Sequence, residues 1–211
     1  MDKQEYWESR FKAEGKIWGE SPSQSAHAAL QLFLANNVKT VLVPGSGYGR
    51  NTKLFSAYGL DVTGIEISEA AYKMAGQFDP HSKFFNGTVM NMSFDNRRYD
   101  AIYCFNVLHL FRQLERELFL NQCIDKLKER GLVYFVVFSN EESTFGQGQE
   151  TEPNTFESKP GRPVHYFTEA DLRQYFCNFK IIDIGTIQDP ENHGGDAHIH
   201  MLRYIFARLN Q

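Results

Sequence analysis

Short apolar runs alternate with amphipathic stretches from about residue 38 to residue 139. This alternation predicts parallel strands joined by crossover helices. Val38–Val43 reads as a short buried strand, followed by a glycine turn and a helix from Arg50 to about Tyr58, with Gly59 as its left-handed cap. Asp61–Ile67 reads as a second strand, and Ser68 caps a helix running to about Gln77. Lys83–Asn86 is a weak third strand; Tyr99–Phe105 and Leu132–Ser139 are stronger, with an amphipathic helix over Arg112–Glu129 between them. After Ser139 the pattern stops. Residues 140–166 are rich in Glu, Gly, Ser, Thr and Pro, and a loop of this length inside a compact domain is expected to be either a functional lid or disordered. Thr168-Glu-Ala-Asp171 is a capping signature that opens a helix to about Asn178. Lys180–Gln188 and Ile199–Leu209 follow as two strands with no helix between them, which predicts an antiparallel pair and seven strands in all.

Composition narrows the field. The 211 residues suit a single α/β domain, 42% hydrophobic and 23% charged. A formal charge of −4 and the lack of any basic stripe argue against a nucleic-acid partner. Three cysteines, an odd number at no metal-ligand spacing, predict reduced thiols in a cytoplasmic protein and no metal centre. The polar start Met1-Asp-Lys-Gln-Glu5 reads as neither a signal peptide nor a membrane span. Nothing in the composition speaks to oligomeric state.

The strongest chemical signal is Val41-Leu-Val-Pro-Gly-Ser-Gly-Tyr-Gly-Arg50, placed after a strand and opening a helix. Gly45 and Gly47 allow a sharp turn and close approach to a ligand, and the following helix start can receive an anionic group. Glu66 ends the second strand 21 residues after Gly45, the spacing at which a carboxylate meets ribose hydroxyls. A nicotinamide site would want Gly or Ala three residues after Gly47, where this chain has Arg50. A nicotinamide-dependent oxidoreductase is therefore the weaker alternative, and a single-nucleoside ligand the better fit.

Val41–Ala75 resembles the first two cofactor-binding motifs of the class I S-adenosylmethionine (SAM)-dependent methyltransferases. Its Val-Pro-Gly-x-Gly form is similar to the thiopurine and thiol/halide methyltransferase group, and Gly49-Arg-Asn51 to the tellurite-resistance methyltransferases. Tyr6-Trp-Glu-Ser-Arg-Phe11 and Gly15-Lys-Ile-Trp-Gly-Glu-Ser-Pro-Ser23 resemble the first group's N-terminal segment, which implies that residues 1–36 cover the site. The resemblance implies a Rossmann-like sheet of order 3-2-1-4-5-7-6 with helices on both faces. It also implies SAM as cofactor, S-adenosylhomocysteine as product, and a small-molecule acceptor. The implied cofactor contacts are Trp18, Gly45, Ser46, Gly47, Arg50, Glu66, Ile67, Thr88, Val89, Met90, Phe105 and Asn106. Two positions depart from the pattern. Val43 replaces a common acidic residue, and Thr88 stands where an acidic adenine contact is usual, so backbone amides of Val89 or Met90 are expected to hold the base.

Methyl transfer from a sulfonium needs alignment and dryness above all, so a thiolate or halide acceptor would require no general base. A hydroxyl or amine acceptor would benefit from one. His165, ending the lid beside Tyr166, is the candidate for acceptor contact. His198 and His200 share a strand face and, with His193, could meet an ion or an anionic substrate; a polar strand face is the alternative. His109 reads as a packing residue and Cys104 as core. Trp18 either closes over the sulfonium or anchors the N-terminal segment. A non-catalytic SAM-binding protein fits the same motifs.

Overall fold

The computed structural model describes residues 2–193 and 196–210, the side chains of 192, 193, 196 and 197 excepted. Two helices come first, α1 (Lys3–Glu14) and α2 (Gln24–Ala35), capped by Asp2 and Ser23. The alternating part then runs β1 (Thr40–Pro44), α3 (Arg50–Ala57), β2 (Asp61–Glu66), α4 (Glu69–Phe78), β3 (Lys83–Asn86) and β4 (Tyr99–Phe105). A 3-10 turn at Leu108–Leu110 leads into α5 (Gln113–Lys126) and β5 (Leu127–Phe138). Three short strands follow, β6 (Gln149–Glu152), β7 (Thr155–Glu157) and β8 (Val164–His165), then α6 (Glu169–Tyr175), β9 (Phe179–His193) and β10 (Asp196–Leu209).

The main sheet has the order β3-β2-β1-β4-β5-β10-β9, which is the expected 3-2-1-4-5-7-6 arrangement of its seven strands. β1, β2, β3, β4 and β5 pair in parallel, and β10 is antiparallel to both neighbours. Alternation along the central strands feeds two cores. Ala101 and Tyr103 with Leu132, Tyr134 and Val136 meet Ala29, Leu30 and Phe33 of α2 and Leu54 and Phe55 of α3. Ile102 and Cys104 with Val133, Phe135 and Val137 meet Phe119 and Leu120 of α5 and Phe176 beyond α6. Both faces of these strands are buried, which is why they read as unbroken apolar runs rather than alternating ones. Each fully buried Phe in such a core contributes about 2 kcal/mol.

Segment 140–166 differs from expectation. It is not a bare loop but carries the antiparallel sheet β6-β7-β8, anchored by Phe145, Phe156 and Tyr166 packed ring to ring. The three strands are two to four residues long, too short to print a periodicity on the sequence. β9 and β10 also extend beyond the predicted 188 and 199, because Pro190 sits on the sheet's outer strand, where a missing N–H costs nothing. Helix α6 opens with the predicted capping box, Thr168 Oγ1 accepting from Asp171 N–H at 3.1 Å and Asp171 Oδ2 from Thr168 N–H at 2.8 Å. Thr168→Ala is expected to cost about 1 kcal/mol. A thermal melt should show a drop of about 2–4 °C for a domain of this size. No helix among the described residues is long and apolar enough to cross a membrane.

Candidate active site

The C-terminal ends of the parallel strands open into a cavity of about 520 Å³, roofed by α1 and the segment after it. Open α/β sheets bind ligands at this edge. At the floor lies the glycine turn. Gly45, Gly47 and Gly49 have φ of 66°, 57° and 88°, and a Cβ on Gly45 would overlap Cγ2 of Val107. Gly49 caps α3 without any side-chain hydrogen bond, so the helix presents its first amides uncovered, and Arg50 and Asn51 of that turn line the cavity.

Glu66 ends β2 inside the same cavity, 5% exposed. Its Oε2 accepts from Gly47 N–H at 2.9 Å and its Oε1 from Ser68 N–H at 2.8 Å. Burial pushes its pKa up to about 7, against the pull of the Ser68, Gly47 and Ile67 amides. Each oxygen keeps a further lone pair, so a diol's two hydroxyls can donate to this carboxylate.

Most of the expected contact residues converge here. Trp18, Gly45, Ser46, Gly47, Arg50, Glu66, Ile67, Thr88, Val89, Met90, Phe105 and Asn106 all line the cavity. Within that set the structure separates roles. The Ser46 and Gly47 amides are already spent on Ile65 O and Glu66. Met90 N–H is taken by Thr88 Oγ1 at 3.2 Å, whereas Val89 N–H has no partner among the described residues. Asn106, at φ 56°, holds a buried Oδ1 with no hydrogen-bond partner. Both features suit a nucleoside ligand.

Arg50 is a strut as well as a lining residue. It donates to Trp18 O at 3.0 Å and pairs with Glu191 of β9 at 2.7 Å, both side chains buried. Trp18 is held as the anchoring reading expects, and it also lines the cavity. It is anchored by its N–H to Tyr48 Oη at 3.1 Å and stacks on Tyr48, while its ring still faces the cavity beside Trp7 and Phe11.

His165 does not belong to this site. β8 pairs with β7, and strand alternation turns Val164 toward the cavity and His165 away from it. His165 is buried, with Nδ1 2.9 Å from Thr155 Oγ1, and borders a separate hollow with Arg116, Asp171 and Tyr175. Burial, then the Arg116 charge, lowers its pKa to about 4. The histidines that do line this cavity are His200 and His109. His109 is stacked on Phe138 at 4.2 Å and accepts from Phe138 N–H, and burial lowers its pKa to about 3, which makes it a neutral packing group. The side chain of His193 lies outside the described residues. Among the described residues no cluster of three or more His, Cys, Asp or Glu could hold a metal ion. Cys104 is fully buried and burial raises its pKa, as a core thiol requires.

Sequence reasoning missed Glu191, Val107, Phe138 and Arg162, the last lying over the Tyr6 ring at 3.8 Å. Glu191 and Arg162 sit in stretches without periodicity, where only a charged residue amid Gly and Pro could have drawn notice.

The profile of the methyltransferase-domain family matches residues 18–180. The chain belongs to that family, within the class I SAM-dependent methyltransferase superfamily, and the oxidoreductase alternative falls away. Similar solved structures include Burkholderia thailandensis 1,6-didemethyltoxoflavin N1-methyltransferase with its substrate and S-adenosylhomocysteine bound. It is 19% identical, with 99% of this chain and 87% of that one covered and a TM-score of 0.73. Synechocystis PCC 6803 magnesium protoporphyrin IX methyltransferase with bound SAM is 15% identical, covering 100% and 98%, with a TM-score of 0.70. TehB from Haemophilus influenzae is 14% identical, covering 97% and 67%, with a TM-score of 0.69. No curated protein sequence matches the chain.

Proposed function

We propose that this single domain binds SAM in the cavity above the glycine turn and transfers its methyl group to a small organic molecule. The observation that carries this reading is the buried Glu66 carboxylate beside Gly45 and Gly47 in one enclosed space. SAM supplies an activated methyl group on a positively charged sulfur. Glu66 holds the ribose hydroxyls, Val89 N–H the adenine edge, and the open start of α3 the methionine carboxylate. Trp18 and Phe105 border the path of the sulfonium. Of the expected cover segment 1–36, residues between Asp2 and Trp18 line the cavity while α2 packs in the core, and of the 140–166 segment only Pro160–Val164 reaches the cavity. A volume of about 520 Å³ lies within the range of small-ligand sites, which favours a small acceptor over a polymer. Unpaired Cys104, Cys123 and Cys177 support a reducing, cytoplasmic setting.

Calorimetry with S-adenosylhomocysteine tests the site. Glu66→Ala should weaken binding by about 1–3 kcal/mol, or about 5–150-fold; unchanged affinity rejects the ribose assignment. Release of S-adenosylhomocysteine from SAM in the presence of a metabolite panel separates an enzyme from a non-catalytic binder.

The raised pKa of Glu66 gives a pH signature. The unliganded fold holds this proton more tightly than the unfolded chain, so the group's contribution to stability is present at low pH and is lost as pH rises from the ordinary value of 4.5 through about 7. A diol donating to the carboxylate favours its ionised form. Binding should therefore release a proton near pH 6.5, and affinity should fall up to about tenfold per pH unit below 7. Heats measured in buffers of different ionisation enthalpy should differ for wild type and coincide for Glu66→Gln; coincident heats for both would refute the linkage.

A further inference from the structure

One corner of the cavity is built from α1, the 3-10 turn after β4 and the loop joining β7 to β8. Its surfaces are largely apolar: the Tyr6 ring from α1, Leu110 and Phe111 from the turn, Pro163 and Val164 from the loop. The charged groups that line this corner are Asp2, Lys3, Arg10, Glu115 and Arg162. All but one are answered within the fold. Lys3 Nζ lies 2.6 Å from Oε1 of Glu115 and over the Phe111 ring at 4.6 Å. Arg10 pairs with Glu14 at 3.2 Å, and Asp2 Oδ1 accepts from Glu5 N–H at 2.7 Å as the cap of α1. Arg162 is the exception. It is half-buried, its guanidinium carbon lies 3.8 Å from the centre of the Tyr6 ring, and its side-chain N–H groups have no acceptor among the described residues. The acid nearest in sequence, Glu157, is committed elsewhere: Oε1 pairs with Arg112, and Oε2 accepts from Gly161 N–H at 2.9 Å. That bond, with Arg162 N–H donating to Lys159 O at 3.1 Å, folds Pro160-Gly-Arg-Pro163 into a tight turn in which Gly161 takes φ 74°. Prolines on both sides of the arginine restrict the loop further.

We propose that Arg162 binds a carboxylate of the methyl acceptor, which makes the acceptor a largely apolar organic acid. This rests on the methyl-transfer reading of the cavity. A guanidinium held against an aromatic face uses its own face for that contact and keeps its N–H donors, which lie in its plane, for other partners. A carboxylate takes two of those donors at once, in the forked geometry that distinguishes arginine from lysine. The apolar surfaces beside Arg162 receive the rest of the molecule and exclude water from the ion pair, which strengthens it. The methionine carboxylate of SAM is assigned to the start of α3, so Arg162 supplies a second and separate anion position. A neutral amide of the same shape would forfeit the charge and turn its NH2 toward the N–H donors, so the site discriminates by repulsion as well as attraction. The turn fixed by Glu157 presents the guanidinium already in place, which lowers the entropy lost on binding. Arg162 is thus a specificity-determining residue, and the chemistry of methyl transfer does not pass through it.

The test uses the full chain loaded with S-adenosylhomocysteine and titrated in a calorimeter with benzoate, phenylacetate and cinnamate, each compared with its primary amide. At least one acid should bind, and about tenfold or more tighter than its amide. Arg162→Gln should weaken that acid about tenfold or more and its amide less than about twofold, the loss expected for a charge-assisted hydrogen bond. The same variant should bind S-adenosylhomocysteine within about twofold of wild type. Equal binding of acid and amide, equal loss of both in Arg162→Gln, or no binding of any of the acids at millimolar concentration overturns the proposal. An Arg162→Gln variant that loses S-adenosylhomocysteine affinity as steeply as acid affinity overturns it too, because Arg162 would then serve the cofactor. Failure of the wild type to bind S-adenosylhomocysteine, measured with no acid present, would instead sink the underlying methyl-transfer reading.

Discussion

Glu191→Ala is expected to destabilise the protein by about 3 kcal/mol, seen as a fall of about 6–12 °C in melting temperature. The Arg50–Glu191 pair spans 2.7 Å with both side chains more than nine-tenths buried, and it ties the first turn of α3 to the outer strand β9. Removing the carboxylate leaves a guanidinium in the cavity wall that keeps, among the described residues, Trp18 O, the faces of Trp18 and Phe105, and the more distant Asp189 carboxylate. Breaking one side of such a pair costs far more than replacing both sides, because the loss is dominated by the charge left behind. The double variant Arg50→Met/Glu191→Leu should therefore recover most of the lost stability. A single variant melting within about 2 °C of wild type would show that cavity water already solvates Arg50.

The same pair shows where the sequence was legible. Central strands buried on both faces leave continuous apolar runs, and the helices between them carry Ser68, Gly59 and Thr168 at their ends. The positions of α3, β2, α4, β3 and β4 could therefore be read directly, whereas the sheet order came from the family resemblance. The glycine-turn end of the cavity was legible for a related reason. Its parts, Gly45 to Arg50 and Glu66, lie on one βαβ unit, so chain spacing and spatial spacing coincide. The far end of the cavity is lined by Phe138, Arg162, Glu191 and His200, residues scattered over three elements and a loop, and no local pattern announces them. His165 misled because the residue before it, Val164, faces the cavity, whereas neither His165 nor Tyr166 lines it. A two-residue strand decides which way it points, and such a strand leaves no period to read. The extended β9 and β10 were hidden by Pro190, which reads as a strand breaker until its pairing with Ile199 is known.

Gly45→Ala should damage the site itself. The residue sits at φ 66°, where an L side chain costs about 1–2 kcal/mol, and the added Cβ would collide with Cγ2 of Val107. Valine is stiff at χ1, so relief must come from the backbone that carries Val107 and the left-handed Asn106. Overpacking of this kind adds a further cost of about 1–3 kcal/mol. Because both sides of the collision line the cavity, the displacement falls on the cofactor-facing surface. S-adenosylhomocysteine affinity should drop about 10–100-fold along with a loss of stability. The double variant Gly45→Ala/Val107→Ala separates the two causes. It should regain the part of the affinity lost to collision while keeping the backbone strain, so its melting temperature stays below that of Val107→Ala alone. Were Gly45→Ala to bind S-adenosylhomocysteine with wild-type affinity, the close approach of ligand to bare backbone at this turn would be disproved.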